Sequence, residues 1–227
     1  MSIKITLWLA GKFSLCFYDN YDFIVNERKS YIYYLLKRKK KHMINISGKE
    51  MLEIILSRQS DRGYHNKNVE DDKLIRVLEA ARMAPSACNS QPWRFIVVNE
   101  PGLRDKVAGA ASARELGFNN FVDQAPVLLV VVREKGKVIS RVGGTVKDKD
   151  YSLIDIGIAV ENICLQALAE GLGTCIIGWF NEKKVKELLE IPSSRRAELI
   201  ITLGYPSKPR RPKRRKDPDE VISYNKY

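Results

Sequence analysis

The fold of this chain is decided by one stretch of twelve residues, Ala84-Pro85-Ser86-Ala87-Cys88-Asn89-Ser90-Gln91-Pro92-Trp93-Arg94-Phe95. It connects an expected helix to an expected strand, and it carries amides and hydroxyls between two prolines. Because proline fixes its own φ, the pattern predicts a loop of fixed backbone with several outward donors and acceptors. Such a loop suits recognition of the polar edge of a ring. Cys88 is interpreted as a bystander thiol, since no histidine lies nearby in sequence to activate it.

A second polar segment, Arg58-Gln59-Ser60-Asp61-Arg62-Gly63-Tyr64, follows a short expected helix. Two arginines four residues apart, with a serine between them, can direct guanidinium groups and a hydroxyl at one phosphate or carbonyl group. Taken alone, the segment is more consistent with a solvated helix end than with a phosphate site.

The hydrophobic pattern predicts alternating helices and strands. Expected helices cover 50–57, a segment that begins near Asn68 with Asn68 as N-cap, a segment after Pro101, 151–170, and a segment capped at Asn181. Expected strands cover 94–99, 125–133, 174–180 and 197–203. Gly171 is expected to end the longest helix in a left-handed conformation. The elements predict an α+β domain with about four core strands.

The order of the two polar segments resembles the N-terminal signature of the nitroreductase family. Arg-x-Ser-x-Arg comes first, and Pro-Ser-Ala-x-Asn-x-Gln-Pro-Trp follows after one intervening helix. The later chain agrees with the same family in segments that extend the likeness over about residues 47–225: Asp155-Ile156-Gly157-Ile158-Ala159, Glu161-Asn162, Gly171-Leu172-Gly173-Thr174, Ile176-Ile177-Gly178-Trp179-Phe180, Leu203-Gly204-Tyr205-Pro206 and Lys213-x-Arg215.

This resemblance implies a nitroreductase-like α+β fold with a central mixed or antiparallel sheet flanked by helices. It also implies a homodimer with an exchanged C-terminal arm and FMN at the interface. By position, Arg58, Gln59 and Ser60 are expected at the phosphate and ribityl chain. Arg62 is expected near N1 and O2 of the flavin, where a cation stabilises the negative charge of the reduced ring.

The remaining expected cofactor contacts come from three further segments. Pro85, Ser86 and Asn89 are expected to contact the same flavin from the other subunit. Main-chain groups of Ile177, Gly178 and Trp179 are expected beside N5, and Trp179 replaces a residue that is often small in the family, which narrows the pocket. Lys213 and Arg215 are expected to complete the phosphate site, although the basic run 208–216 offers other cations for the same place.

The implied activity is that of an FMN-dependent oxidoreductase. Hydride would pass from NADH or NADPH through flavin N5 to an acceptor such as a nitroaromatic or a quinone, in a ping-pong sequence. No catalytic side chain is named, because the flavin itself supplies the chemistry. Alternatives within the family are dehalogenation, dehydrogenation and flavin breakdown, for which residues 134–150 form the one lid candidate. A flavin-binding protein without turnover is a further alternative.

The net charge of +12 raises a different alternative, a nucleic-acid-binding module. Five basic residues lie at Lys37–Lys41 and seven lie between Lys208 and Lys216, and together they equal the whole net charge. The two runs lack the interleaved aromatics that stack on bases, and this interpretation leaves the 84–95 loop unexplained. The expected partner is therefore a small molecule, with no nucleic acid.

Composition favours a cytoplasmic protein with free thiols. The four cysteines have no CxxC spacing, and the two histidines, His42 and His65, lie in unrelated contexts, so no metal site is expected. No apolar stretch is expected to reach the length of about 20 residues that spans a membrane.

Residues 1–42 differ from the rest of the chain, since they are rich in aromatics but show no sustained period. They end in a basic run shortly before Met43. Lysine and arginine codons can consist almost entirely of purines, and a bacterial ribosome-binding site is a purine run shortly before a start codon. The hypothesis is that translation begins at Met43 and that residues 43–227 form the FMN-binding domain. The alternative is an N-terminal arm followed by a basic linker.

Overall fold

The computed structural model describes residues 46–112, 118–136 and 149–227. The hypothesis on residues 1–42 and most of the lid candidate therefore lie outside the described residues. The described helices are α1 Gly48–Ser57, α2 Asp71–Arg82, α3 Pro101–Ala111, α4 Tyr151–Ala169, α5 Glu182–Leu188 and α6 Pro218–Val221. The described strands are β1 Trp93–Val98, β2 Val127–Arg133, β3 Gly173–Ile177 and β4 Arg196–Gly204. Short 3₁₀ turns cover Ala87–Asn89 and Val122–Gln124.

The described strands form one sheet in the order β1-β2-β4-β3, and every neighbouring pair is antiparallel. The expected strands are confirmed, but the strand expected at 174–180 is three residues too long. It ends at Ile177, and two residues beyond the strand Trp179 O accepts from Asn119 Nδ2 over 3.1 Å. β3 lies at one edge of the sheet, and this edge position places it within reach of other segments.

The sheet lies between two hydrophobic cores, and β2 supplies both. Leu128 and Val130 face the core shared with α3 and α5, whereas Leu129 and Val131 face the core shared with α2 and α4. This alternation follows from the two-residue period of side chains along a strand. All four side chains are fully buried, which explains why the sequence of β2 is almost continuously apolar.

Helix α4 packs against α2 and contributes six buried residues to the hydrophobic core. Asn162 donates from Nδ2 to Ala80 O of α2 over 3.1 Å. Gly171 ends the helix at φ +75°, and Leu172 N donates to Ala167 O over 2.8 Å, so the expected left-handed stop is confirmed. With 19 residues and a mean hydropathy of 1.5, α4 is long and apolar enough to span a membrane. That finding corrects the expectation about apolar stretches, although this helix is a core element of the fold.

The start of α2 also differs from the prediction, because its N-cap is Glu70 and not Asn68. His65 N donates to Tyr205 O over 2.9 Å, and Lys67 N donates to His65 O over 2.8 Å. These hydrogen bonds hold residues 65–67 against the end of β4, and α2 begins only after them, at Asp71. Helix α1 begins two residues earlier than predicted, at Gly48 after a capping box.

Candidate functional site

The segment around Ser60 is attached to the edge strand β3. Ser60 forms a parallel bridge with Thr174, and Asp61 N donates to Thr174 O over 2.8 Å. Gly173 permits this approach, since a Cβ there would lie 2.6 Å from Asp61 Oδ2. The buried thiol of Cys175 lies one residue further along β3. Burial raises the pKa of that thiol, and the nearby charge of Arg62 offsets part of the rise. The backbone that carries the two arginines is thus fixed by the sheet.

The basic C-terminal segment lies across this attached segment. Arg211 N donates to Gln59 Oε1 over 3.0 Å, and Arg211 Nη2 donates to Ser60 O over 2.8 Å. Lys213 Nζ donates to Ile55 O, near the end of α1, over 2.8 Å. The polar tail that follows β4 is therefore part of the folded domain.

The two segments enclose a cleft of about 580 Å³. From the first segment come Arg58, Gln59, Ser60 and Arg62, and from the second come Arg211, Pro212, Lys213, Arg214 and Arg215. Six of these nine residues are cationic, and no acidic side chain is among them. The carboxylate of Glu161 on α4 approaches Arg58 Nε from outside this set at 3.5 Å.

The charges that line the cleft are crowded. Desolvation lowers the pKa of Lys213 below its usual range, and the neighbouring charges of Arg58 and Arg215 lower it further. Repulsion between these cations is relieved when an anion lies between them, and arginine forks match the oxygens of a phosphate. The residues present therefore fit the phosphate group of a nucleotide cofactor.

The loop singled out first from the sequence is held rigidly on α4. Ala87 N donates to Asp155 Oδ1 over 3.0 Å, and Gln91 N donates to Ser86 Oγ over 2.9 Å. Gln91 Nε2 donates to Asn89 Oδ1 over 2.9 Å, and both residues have a positive φ, +48° and +50°. Such conformations persist in non-glycine residues only where the surroundings determine them.

The structure brings six of the twelve predicted site residues together in the cleft. These six are Arg58, Gln59, Ser60, Arg62, Lys213 and Arg215. The other six do not line it, namely Pro85, Ser86, Asn89, Ile177, Gly178 and Trp179. Ile177 ends β3 three residues after Thr174, about 10 Å along the strand. The cleft and Gly178 therefore lie along the same edge of the sheet.

Sequence reasoning missed Arg211, Pro212 and Arg214 among the lining residues, and it missed Asp61, which lies beside the cleft. Asp61 accepts a hydrogen bond from Gln59 Nε2 at 2.8 Å, and Arg211 contacts both Gln59 and Ser60. Arg211 could have been found only as one of many basic residues in its run, because nothing in the run fixes which residue is opposite Gln59. The acidic residue between two arginines was a visible signal for Asp61.

The comparisons with known proteins agree with this fold. The model of the nitroreductase family matches residues 55–205, so the chain belongs to the nitroreductase family and is an oxidoreductase. Family and fold, which the sequence motifs predicted, are confirmed.

Named relatives and solved structures give the family more detail. The chain is 32% identical over 161 residues to a putative NADH dehydrogenase/NAD(P)H nitroreductase of Archaeoglobus fulgidus, covering 69% of this chain and 86% of the relative. It is 26% identical over 199 residues to an iodotyrosine deiodinase of Thermotoga neapolitana, covering 79% and 100%. The solved structure of an FMN-dependent nitroreductase from Clostridium difficile R20291 superposes with a TM-score of 0.63 at 28% identity, covering 78% and 99%.

Proposed function

We propose that this protein binds FMN and transfers electrons from NADH or NADPH to a small-molecule acceptor. The observation that carries the proposal is the cleft between the 58–62 segment and the C-terminal segment, which six cationic side chains line. The Clostridium difficile neighbour is named as FMN-dependent, and the Archaeoglobus relative is named for NAD(P)H. The first name supports FMN as the bound cofactor of this chain, and the second supports NADH or NADPH as the electron donor.

The proposed contacts divide the cofactor between the two segments. Arg58, Ser60, Lys213 and Arg215 neutralise and hydrogen-bond the phosphate, and Gln59 lies at the ribityl chain. Arg62 stabilises negative charge at the pyrimidine edge. When bound, FMN supplies the redox chemistry by accepting hydride from NAD(P)H and then passing electrons to a nitroaromatic or a quinone in a separate half-reaction.

A homodimer accounts for the predicted site residues that lie outside the cleft. Exposed apolar side chains on α1 and α4 offer a surface for a second copy: Met51, Leu52, Ile55, Leu56, Leu153, Ile154 and Ile158. The rigid loop with Pro85, Ser86 and Asn89 is fixed on α4, next to this surface. We propose that it reaches the flavin of a second subunit, and that the main chain at 177–179 lies beside the ring.

The visible absorbance spectrum of the purified protein tests the proposal. We expect a flavin spectrum that bleaches under anaerobic NADPH or NADH and recovers with a nitroaromatic or a quinone. Arg58→Ala should weaken FMN binding by about 10-fold, the effect of losing a charged hydrogen bond. Arg104→Ala is the control, because Arg104 pairs with its neighbour Asp105, and this change should leave FMN binding unchanged.

Two outcomes of that experiment would contradict the proposal. A colourless protein that also refuses added FMN would remove the cofactor assignment. A yellow protein that does not oxidise either nicotinamide would leave flavin binding without turnover.

Reductive dehalogenation is the second candidate function. It is favoured by the likeness to the Thermotoga neapolitana iodotyrosine deiodinase, which extends over the whole length of that relative. The assay is iodide release from iodotyrosine by the reduced holoenzyme, measured beside nitroaromatic reduction. Iodide release at a rate above that of nitroaromatic reduction would select this function, and absence of release would exclude it.

We also propose a cytoplasmic location and a functional domain that covers residues 43–227. The contacts of Arg211 and Lys213 with their own chain support an internal role for the C-terminal basic run, and not a role in nucleic-acid binding. Cell fractionation tests the location. A peptide from residues 1–42 in the natural protein would contradict translation from Met43.

A further inference from the structure

The side chain of Gln59 connects the carboxylate of Asp61 to the main chain of Arg211 in the C-terminal segment. Its Nε2 donates to Asp61 Oδ1 over 2.8 Å, and its Oε1 accepts from Arg211 N over 3.0 Å. An amide side chain has one donating and one accepting end, whereas an ionised carboxylate only accepts. Asp61 therefore dictates that the oxygen of Gln59, and not its nitrogen, faces the main chain of Arg211.

The carboxylate that sets this orientation is itself fixed. Asp61 is 9% exposed, and its main-chain N–H donates a hydrogen bond to Thr174 O of β3. The missing side chain of Gly173 leaves the space that the carboxylate occupies. Burial raises the pKa of Asp61, while hydrogen bonds from Gln59 and from the backbone at Thr174 counteract part of that rise. The carboxylate therefore has no freedom to turn away from Gln59 without losing contacts.

We propose that Asp61 is a positioning residue that, through Gln59, docks the C-terminal basic segment onto the phosphate cleft. The Asp61–Gln59 clamp consists of the Asp61 carboxylate, the Gln59 amide and the N–H of Arg211. Lys213 and Arg215 follow Arg211 by two and four residues, so their places in the cleft depend on the clamp. The consequence for FMN rests on the proposed function, whereas the docking of the segment does not.

Limited trypsin digestion of the full chain without cofactor tests the docking. Trypsin cuts after basic residues, and mass spectrometry of the products reports cleavage within 210–216. Asp61→Ala and Gln59→Met should each speed this cleavage by about 5-fold, the effect of losing one hydrogen bond. Asp105→Ala is the matched control, since it removes a carboxylate that pairs only with its neighbour Arg104 among the contacts described.

A charge-conserving exchange separates the clamp from a general loss of structure. In the double variant Gln59→Glu with Asp61→Asn, the new amide at position 61 can donate to the new carboxylate at position 59. The other oxygen of that carboxylate can accept from Arg211 N. We expect this double variant to restore protection, although Gln59→Glu alone should lose it because two carboxylates then face each other. A merely structural role of Asp61 predicts no such rescue.

FMN titration measures the consequence for the cofactor. Asp61→Ala and Gln59→Met should raise the Kd for FMN by about 5-fold. If the unchanged protein binds no FMN, the proposed function fails, and the digestion alone decides the clamp. Should Asp61→Ala unfold, judged by circular dichroism, Gln59→Met carries the test. Cleavage at the rate of the unchanged protein in a folded Gln59→Met, or absence of rescue in the double variant, would overturn the proposal.

Discussion

Ala87 and Asp155 are joined by a hydrogen bond of 3.0 Å from the main-chain N–H of the first to Oδ1 of the second. Asp155 is a buried residue of α4, and Ala87 begins the short turn in the centre of the 84–95 stretch. One carboxylate thereby ties the loop that revealed the family to the longest helix of the domain.

Asp155→Ala should destabilise the protein because it leaves the Ala87 N–H without its partner. We expect a loss of about 1 kcal/mol in the free energy of unfolding, as for a partly buried hydrogen bond. Asp155→Asn retains an acceptor oxygen and should lose less. Urea unfolding measures both variants, and equal losses in the two would show that charge, and not the hydrogen bond, matters at this position.

Much of the fold could be predicted from the sequence where a local pattern coincides with the tertiary outcome. The apolar run of β2 requires burial on both faces, and the structure places it between two cores. Gly171 and Leu172 carry the signal for a helix stop in their own chemistry. Asn68 failed as an N-cap because a distant contact, His65 N to Tyr205 O, decides where α2 starts.

The candidate site could be predicted only in part, for related physical reasons. The 58–62 segment is compact, so the positions of Arg58 and Arg62 follow from one motif. The C-terminal contacts depend on which residue of a nearly uniform basic run reaches Gln59, and charge alone does not distinguish Arg211 from its neighbours. That choice is made by hydrogen bonds between segments about 150 residues apart, which the sequence does not display.

The affinity for FMN should fall as the pH rises through the pKa of Lys213. This fall should begin at a lower pH than it would for a lysine of ordinary pKa. Desolvation and the charges of Arg58 and Arg215 lower the pKa of Lys213 from 10.5, so it loses its charge earlier as the pH rises. Below that lowered pKa the affinity should be constant, and above it the affinity should fall. FMN titrations at a series of alkaline pH values measure the profile.

Lys213→Arg is the control for this pH dependence, since arginine stays charged over the whole range. Its affinity profile should be flat where that of the unchanged protein falls. A decline of equal size in both proteins would assign the pH dependence to another group.

Gly204→Ala should destabilise the sheet because the new methyl group has no space. A Cβ at this position would lie 2.5 Å from Cδ of Pro126, whose ring cannot turn away. The expected loss is about 1–3 kcal/mol in the free energy of unfolding. Gly109→Ala is the matched control, because nothing lies within 4 Å of a Cβ there and the residue is inside α3, so a gain of up to about 1 kcal/mol is expected. Equal responses of the two variants in thermal unfolding would contradict the steric argument.

The ion pair between Arg76 and Glu170 should make stability depend on acid pH. Arg76 donates from Nε and Nη2 to the two oxygens of Glu170 over 2.6 and 2.8 Å, and this joins α2 to the end of α4. The hydrogen bonds from Arg76 lower the pKa of Glu170 below 4.5. Because the folded-state pKa is depressed, the stabilisation is fully present above 4.5 and is lost as the pH falls through the lowered value.

Glu170→Gln should therefore be less stable than the unchanged protein near neutral pH, by about 1–2 kcal/mol in the free energy of unfolding. The difference should shrink as the pH falls from 4.5 through the lowered pKa of the folded state, and it should vanish below that value, where Glu170 is neutral in both the folded and the unfolded protein. Glu53→Gln is the control, since it neutralises an exposed carboxylate of α1 that forms no ion pair among the contacts described. Denaturant unfolding at neutral pH and again at the acid limit of stability gives both values, and a difference that stays constant with pH would assign the effect of Glu170 to packing.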